Sequence, residues 1–359
     1  MSTRSESFDS AVVTLRPFSL PRVAARRVMV AALAVLAWLG SAALTQWWPN
    51  LDDWPYTQEL LVLKLAFAAL AAAIGLAGWF TSARPAATTD HAEHTEHVSS
   101  RRYARIDAWL AAAPWLLALA LAIAAWEVST AKLEWLPRPF FAPPQALIAV
   151  FFDDFPRLSS SVVHSLGLLA YGYAIGAVTG FVTGVSIGWS RAVGYWLHPV
   201  LRLIGPLPAT AWLPLAFFFF PSSFSASVFL IALATAFPVA VLTWSGVAGV
   251  NAAYYDVART LGARPGFLIL RVAIPAALPS VFVGLFMGLG ASFSVLIVAE
   301  MMGVKAGLGW YLQWAQGWAA YSNMYAALLV MALMCSGLIT LLFRLRDRLL
   351  AWQKGVLKW

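Results

Sequence analysis

The sequence predicts an all-α, polytopic membrane protein, and three observations carry that reading. Hydrophobic residues make up 61% of the 359 residues and charged residues only 11%, outside the range of soluble domains. Mean hydropathy is +0.75. Eight apolar runs are long enough to cross a membrane, since about 18 residues of helix span the ~30 Å hydrocarbon core. The basic residues are also placed asymmetrically. If the chain starts inside and crosses eight times, 19 of its 24 lysines and arginines fall on the inner side, the bias typical of helical membrane proteins.

The runs lie at 28–46, 60–80, 109–128, 162–189, 200–220, 225–247, 278–299 and 324–342. The first follows a basic stretch, but its apolar run is longer than the 7–15 residues typical of a signal h-region, so it reads as an uncleaved span. Arg4, Arg16, Arg22, Arg26 and Arg27 precede it. Lys64 is placed at the end of the second span, and Lys132, Arg138, Arg157 and Lys305 in outer segments. Arg191 and Arg202 flank an inner turn, and Arg344, Arg346, Arg348, Lys354 and Lys358 put the C-terminus inside. The net charge of +8 therefore reflects membrane orientation, not nucleic-acid binding. Cys335, the only cysteine, permits no internal disulfide.

Residues 1–83 form an N-terminal segment with two spans, 84–108 a polar linker, and 109–359 the main membrane domain. The linker carries His91, His94 and His97 with Glu93 and Glu96 between them. Three histidines in a polar loop read as a solvated segment, and no metal site is assigned. The stretch "PRPFFAPPQALIAVFFDDFPRL" holds too many prolines for a span and suits a short element at the outer interface. In the fourth span Gly172, Gly176, Gly180, Gly184 and Gly188 recur at every fourth residue, which leaves a strip where a neighbouring helix backbone can approach closely. The fifth run, "RLIGPLPATAWLPLAFFFFP", contains Pro206, Pro208 and Pro214 around Trp212. Proline removes a backbone donor. Within a membrane the freed groups must then face protein or water, so this segment is expected beside a passage. Glu300 ends the seventh run, either as a solvated boundary group or as part of a path.

No phosphate-binding loop and no paired intramembrane histidines or carboxylates are present, so no catalytic residue and no cofactor are assigned to this chain. The most unusual stretch is "DVARTLGARPGFLILRVAIP", residues 256–275. Asp256 to Leu261 have helical character with Val257, Ala258 and Leu261 on one side. Gly262 and Pro265–Gly266 then break that helix, and "FLILRV" starts a second short one. Lying inside, this forms a rigid knob, either a connector or a docking piece.

The stretch resembles the cytoplasmic loop of ABC-importer permeases. That pattern falls on Asp256, Ala258, Gly262, Ile274 and Pro275, with Val257, Leu261 and Ala263 between; Asp256 stands for the usual Glu and Val257 for the first Ala. "PLPATAWLPLAFFF", "FPVAVLTWSGVAGVNAAYYDVARTLGA" and "VAEMMGVKAGLGWYL" are similar to the subfamily serving nitrate, sulfonates, taurine and related solutes. The likeness covers about residues 137–345. It implies a type I permease core of about six helices, behind two extra N-terminal ones, with the coupling loop at 251–275. It also implies cytoplasmic ATPase subunits carrying ATP-Mg, a second permease subunit (a copy or a paralogue) and an external solute-binding protein. The setting would be a bacterial inner membrane, with both termini cytoplasmic. Two places where the subfamily carries arginine hold Leu168 and Phe286. Two alternatives remain: a permease-like scaffold that moves nothing, and an ATP-independent channel.

Overall fold

The computed structural model describes residues 20–82, 111–205 and 207–352, and all regular structure among them is helical. The polar segment with His91, His94 and His97 lies outside the described residues, as do Pro206 and the last seven residues. The helices are α1 Leu20–Trp47, α2 Thr57–Ser82, α3 Ala113–Lys132, α4 Pro144–Asp153, α5 Phe155–Trp189, α6 Arg191–Ile204, α7 Leu213–Phe219, α8 Ser223–Ala248, α9 Ala252–Thr260, α10 Pro265–Met302, α11 Leu308–Gly317 and α12 Tyr321–Leu349.

The chain forms two compact units. Met1–Arg138 with Pro143–Ile148 make the first; Pro139–Ala142 with Ala149–Trp359 make the second. Packing therefore groups α3 with α1 and α2. In the first unit, Ala34, Ala68, Ala71 and Ala120 are buried around Trp38, whose ring stacks on Phe67 at 4.8 Å. Small residues let the helices close without a hydrophobic driving force. Two lysines placed by the sequence at a span end and in an outer segment are instead buried here. Lys64 sits two turns into α2, pairs with Glu127 of α3, and donates to Thr45 Oγ1 at 2.8 Å and the Ser41 carbonyl at 3.2 Å. Gln145 Nε2 donates to Glu127 Oε1 at 3.1 Å, Lys132 Nζ lies 3.9 Å from that same oxygen, and Lys132 also donates to the Trp48 carbonyl. A cation at this depth is tolerated only with such partners, and sequence spacing alone does not show them.

The second unit is built on the glycine row. A Cβ at Gly176 would lie 2.5 Å from the Ala232 carbonyl oxygen, one at Gly180 2.5 Å from Ala236 O, and one at Gly184 2.5 Å from Ala240 O. Gly172 meets Ile231 and Gly188 meets Val247. Numbers rise together along both helices, so α5 and α8 run parallel. On α10, Gly284 faces Val239 and Gly288 faces Thr235, so α10 runs antiparallel to α8. Phe286 stacks on Phe343 at 5.4 Å, and Phe293 packs with Met331 and Met334, so α12 runs back again.

Two parallel neighbours require the intervening chain to recross the layer. The segment between α5 and α8 does so as a bent pair, α6 and the Ala209–Phe219 stretch, meeting at 86°. The run at 200–220, which its prolines mark as a kinked or broken span, is thus two pieces. The reason is local: Pro208 is extended, with φ −61° and ψ 136°, and Pro214 lies at the start of α7, where its missing donor costs nothing. Among the described residues seven helices are long and apolar enough to cross a membrane, and the bent pair, taken as one span, makes eight.

Candidate functional site

The loop between α8 and α10 emerges at the end of the bundle where α5 also ends, since Trp189 packs edge-on against Tyr255 at 5.9 Å. Burial there pushes the Tyr255 phenol above its ordinary pKa. Asn251 starts α9: its Oδ1 accepts from the Ala253 N–H at 3.0 Å, a favoured N-cap arrangement that the sequence reading missed. Gly262 ends the helix with φ +82°. The Gly262 N–H donates to Arg259 O at 2.9 Å and the Ala263 N–H to Ala258 O at 3.0 Å. This pair of bonds is a Schellman motif, which needs a left-handed residue where Gly262 sits.

The helix presents an apolar row outward. Tyr254, Val257 and Leu261 are 63%, 62% and 83% exposed, and their spacing of three and four places them on one face. Asp256 is exposed and pairs with Arg259 at 3.2 Å. Ala258 and Ala263 are half-buried. Phe267 and Leu270 add two more exposed apolar groups.

The second short helix expected after the break is not separate. Pro265 opens α10, which continues through a π turn, Leu268–Ala273, into the span. Pro275 has no N–H to give to residue 271, and the wider π turn shifts the bonding pattern around that gap. Ile274 and Pro275 are accordingly half-buried on α10, away from the exposed row.

Pro208 and Pro214 are exposed, while Trp212 is half-buried against the core of α5, α8 and α10. Its buried indole N–H has no acceptor among the described residues. Glu300 is 1% exposed, so it is not a solvated boundary group. Its Oε1 accepts from Ser165 Oγ at 2.7 Å and its Oε2 from the Gly309 N–H at 2.8 Å. Ser165 Oγ in turn accepts from the Leu308 N–H at 2.8 Å. The carboxylate and hydroxyl thus satisfy the N-terminus of α11, where negative charge is favoured. A Cβ at Gly307, φ +102°, would lie 2.2 Å from Glu300 Oε1. Beside it, Tyr311 donates to Asp154 Oδ2 at 2.7 Å and accepts from Asn323 Nδ2 at 2.7 Å. Burial pushes the Tyr311 phenol above its usual range.

Leu168 is buried in the apolar core and Phe286 lies against Phe343, so neither neighbourhood holds the cation that the resemblance suggests there.

The sequence profile of the binding-protein-dependent transport system inner membrane component matches residues 142–354. The chain belongs to that family. The permease is 28% identical over 251 residues to the nitrate import permease protein NrtB of Synechococcus elongatus, covering 67% of this chain and 87% of that protein. It is 33% identical over 201 residues to the bicarbonate transport system permease protein CmpB of the same species, covering 55% of this chain and 68% of that protein. An inward-facing structure of the MetNI methionine ABC transporter aligns with 55% of this permease and 98% of that chain, at TM-score 0.48 and 14% identity. The motif-based resemblance and the family match agree. The matched region starts at residue 142, so α1, α2 and α3 lie outside it.

Proposed function

We propose that this permease is the membrane path of an ATP-driven, binding-protein-dependent importer of a small nitrate-, bicarbonate-, sulfonate- or taurine-like solute, in a bacterial inner membrane with both termini cytoplasmic. The carrying observation is α9. It is a short helix ended rigidly by Gly262, with Tyr254, Val257 and Leu261 exposed in a row beside the Asp256–Arg259 pair. An amphipathic helix of that kind suits a hydrophobic groove on a partner, and a lipid-facing connector has no need of it at the polar end of a bundle. The partner is an ATPase subunit, which binds ATP-Mg and pushes on α8 and α10 through the loop. Two permease subunits, copies or paralogues, and two ATPases complete the unit, with a solute-binding protein on the other side. Trp212 with Pro208 and Pro214 border the passage. Glu300 acts by holding α11 in place.

The test is co-purification of the permease with a candidate ABC ATPase subunit from the same organism, followed by ATPase assays with a candidate binding protein and a panel of nitrate, bicarbonate, taurine and alkanesulfonates. Solute-stimulated hydrolysis supports import. A stable complex in which no solute changes hydrolysis would favour the non-translocating scaffold, for which the apolar surroundings of Leu168 and Phe286 give some support.

A further inference from the structure

Arg202, exposed in the single chain and without a partner among the described residues, lies along α8 about one to three turns from that helix's inner end. The cavity between α6 and α8 has a volume of about 390 Å³, and Arg202 and His198 line it with Phe237, Val241 and Trp244. The sequence reading put Arg202 at an inner turn; the structure puts it on a helix packed antiparallel to α8. His198 meets Trp244 edge-on at 4.2 Å, and Gly205 meets Phe237. Trp244 is four residues from the end of α8 and Phe237 eleven, or about 6 and 16 Å at 1.5 Å per residue. Among the described residues, no carboxylate pairs with Arg202 and no acceptor takes a hydrogen bond from it.

Each of these features has a chemical consequence. An ionisable group at membrane depth without a partner is unfavourable, and where one is kept it points to a ligand path. Lys64, by contrast, is fully partnered in the first unit. A guanidinium offers donors in a planar fork that fits an oxyanion through two bonds. A histidine ring N–H adds a donor one turn away. A Cβ at Gly205 would lie 2.4 Å from the Phe237 ring, so glycine lets that aromatic wall close against α6. The result is a small apolar pocket with one convergent cationic side, the usual character of a small-ligand site.

We infer that the Arg202–His198 cavity binds a small oxyanion group, and that it is a subsite for the solute on the import path. The inference rests on the proposed function and supplies a cation in the bent segment, where Leu168 and Phe286 supply none. A lipid headgroup phosphate has the same chemistry, so the test separates the two sources.

The purified complex is placed in phosphatidylcholine nanodiscs, with Val241→Cys in a Cys335→Ser background and ATPase activity verified. Modification rates are compared for an anionic and a cationic methanethiosulfonate of similar size. The anionic reagent is expected to be favoured, and Arg202→Gln is expected to lower the anionic-to-cationic rate ratio by about tenfold. Nitrate and methanesulfonate, each against chloride at equal ionic strength, should slow modification, while uncharged dimethyl sulfone should not. Arg202→Lys should keep the charge bias and lose most of the protection. Equal rates in wild type and Arg202→Gln would overturn the site, as would silence of both Val241→Cys and Leu201→Cys toward either reagent. Protection by phosphatidylglycerol but by no free anion would overturn its place on the solute path. Anion protection without any solute-stimulated ATPase would sink the importer reading while leaving the oxyanion site standing.

Discussion

Gly262 gives the most direct test of the loop, because its substitutions change one thing. Its φ is +82°, and a Cβ there would meet no atom within 4 Å. Side-chain clash therefore contributes nothing, and the whole effect is conformational. Holding an L-residue in the left-handed region costs about 1–2 kcal/mol, and a β-branched residue fares worse. What resists relaxation is the pair of bonds from Gly262 N–H to Arg259 O and from Ala263 N–H to Ala258 O, each worth about 1 kcal/mol net. The terms are comparable, so Gly262→Ala should leave the docking shape only partly populated. Since 1.4 kcal/mol is a factor of ten, ATPase association should weaken roughly 5- to 30-fold. Gly262→Val should lose association and uptake altogether. Gly262→Asn should be the mildest, because Asn visits the left-handed region. Gly266→Ala is the control: that position has open space and no positive φ. The assay is ATPase co-purification at equal membrane abundance, with solute uptake alongside. If Val, Ala and Asn variants all bind ATPase as wild type does, the loop is a connector and the docking argument fails.

Four further outcomes follow from the geometry. Gly180→Val drives a side chain into the Ala236 carbonyl and Val239 and should lower stability in detergent by about 1–3 kcal/mol, whereas Gly167→Ala, with open space, should be neutral or slightly stabilising. Glu127→Ala leaves Lys64 buried without its carboxylate and should cost about 3–5 kcal/mol, which Lys64→Met with Glu127→Leu should largely restore. Because burial raises the Tyr311 pKa from 10.0, its contribution is complete below about pH 10 and is lost as pH rises toward the folded value; thermal unfolding from pH 8 to 11 should show a smaller alkaline decline for Tyr311→Phe. Reporters fused within the 84–100 segment or after Lys358 should both read as cytoplasmic, and an external signal at either place would remove the eight-crossing arrangement.

Much of the fold was legible because hydropathy is a local property. Runs such as 225–247 and 278–299 announce their own spans, and the row Gly172 to Gly188 announces a close neighbour. The loop was legible through Gly262, whose role depends on local backbone shape. Its helix start was placed late because the capping Asn251 lies in a stretch that reads as the end of a span. The fusion of Pro265 with the long helix was also hidden, since Pro275 looks like a breaker until the π turn is seen. Partnerships between distant residues left no local mark. Lys64 and Glu127 are 63 positions apart, and Ser165 and Glu300 are 135 apart. Lys64 alone reads as a span-end residue and Glu300 as either a boundary group or part of a path, and only the packed helices reveal that each has a partner.

Arg202 shows how one legible feature fixes another that is not. By itself it reads as an inside residue next to a proline-rich break. The glycine row makes α5 and α8 parallel neighbours, and parallel neighbours oblige the chain between them to climb back through the layer. That climb begins with α6, so residues after Arg191 run deeper rather than along the surface. Gly205 then sits level with Phe237, and Arg202, one turn before it, lines the groove beside the inner half of α8 while staying exposed in the single chain. The same arginine that satisfies a charge-count rule for topology is thereby carried to a depth where charge without a partner demands a reason, and an anionic solute passing beside the bent segment provides one.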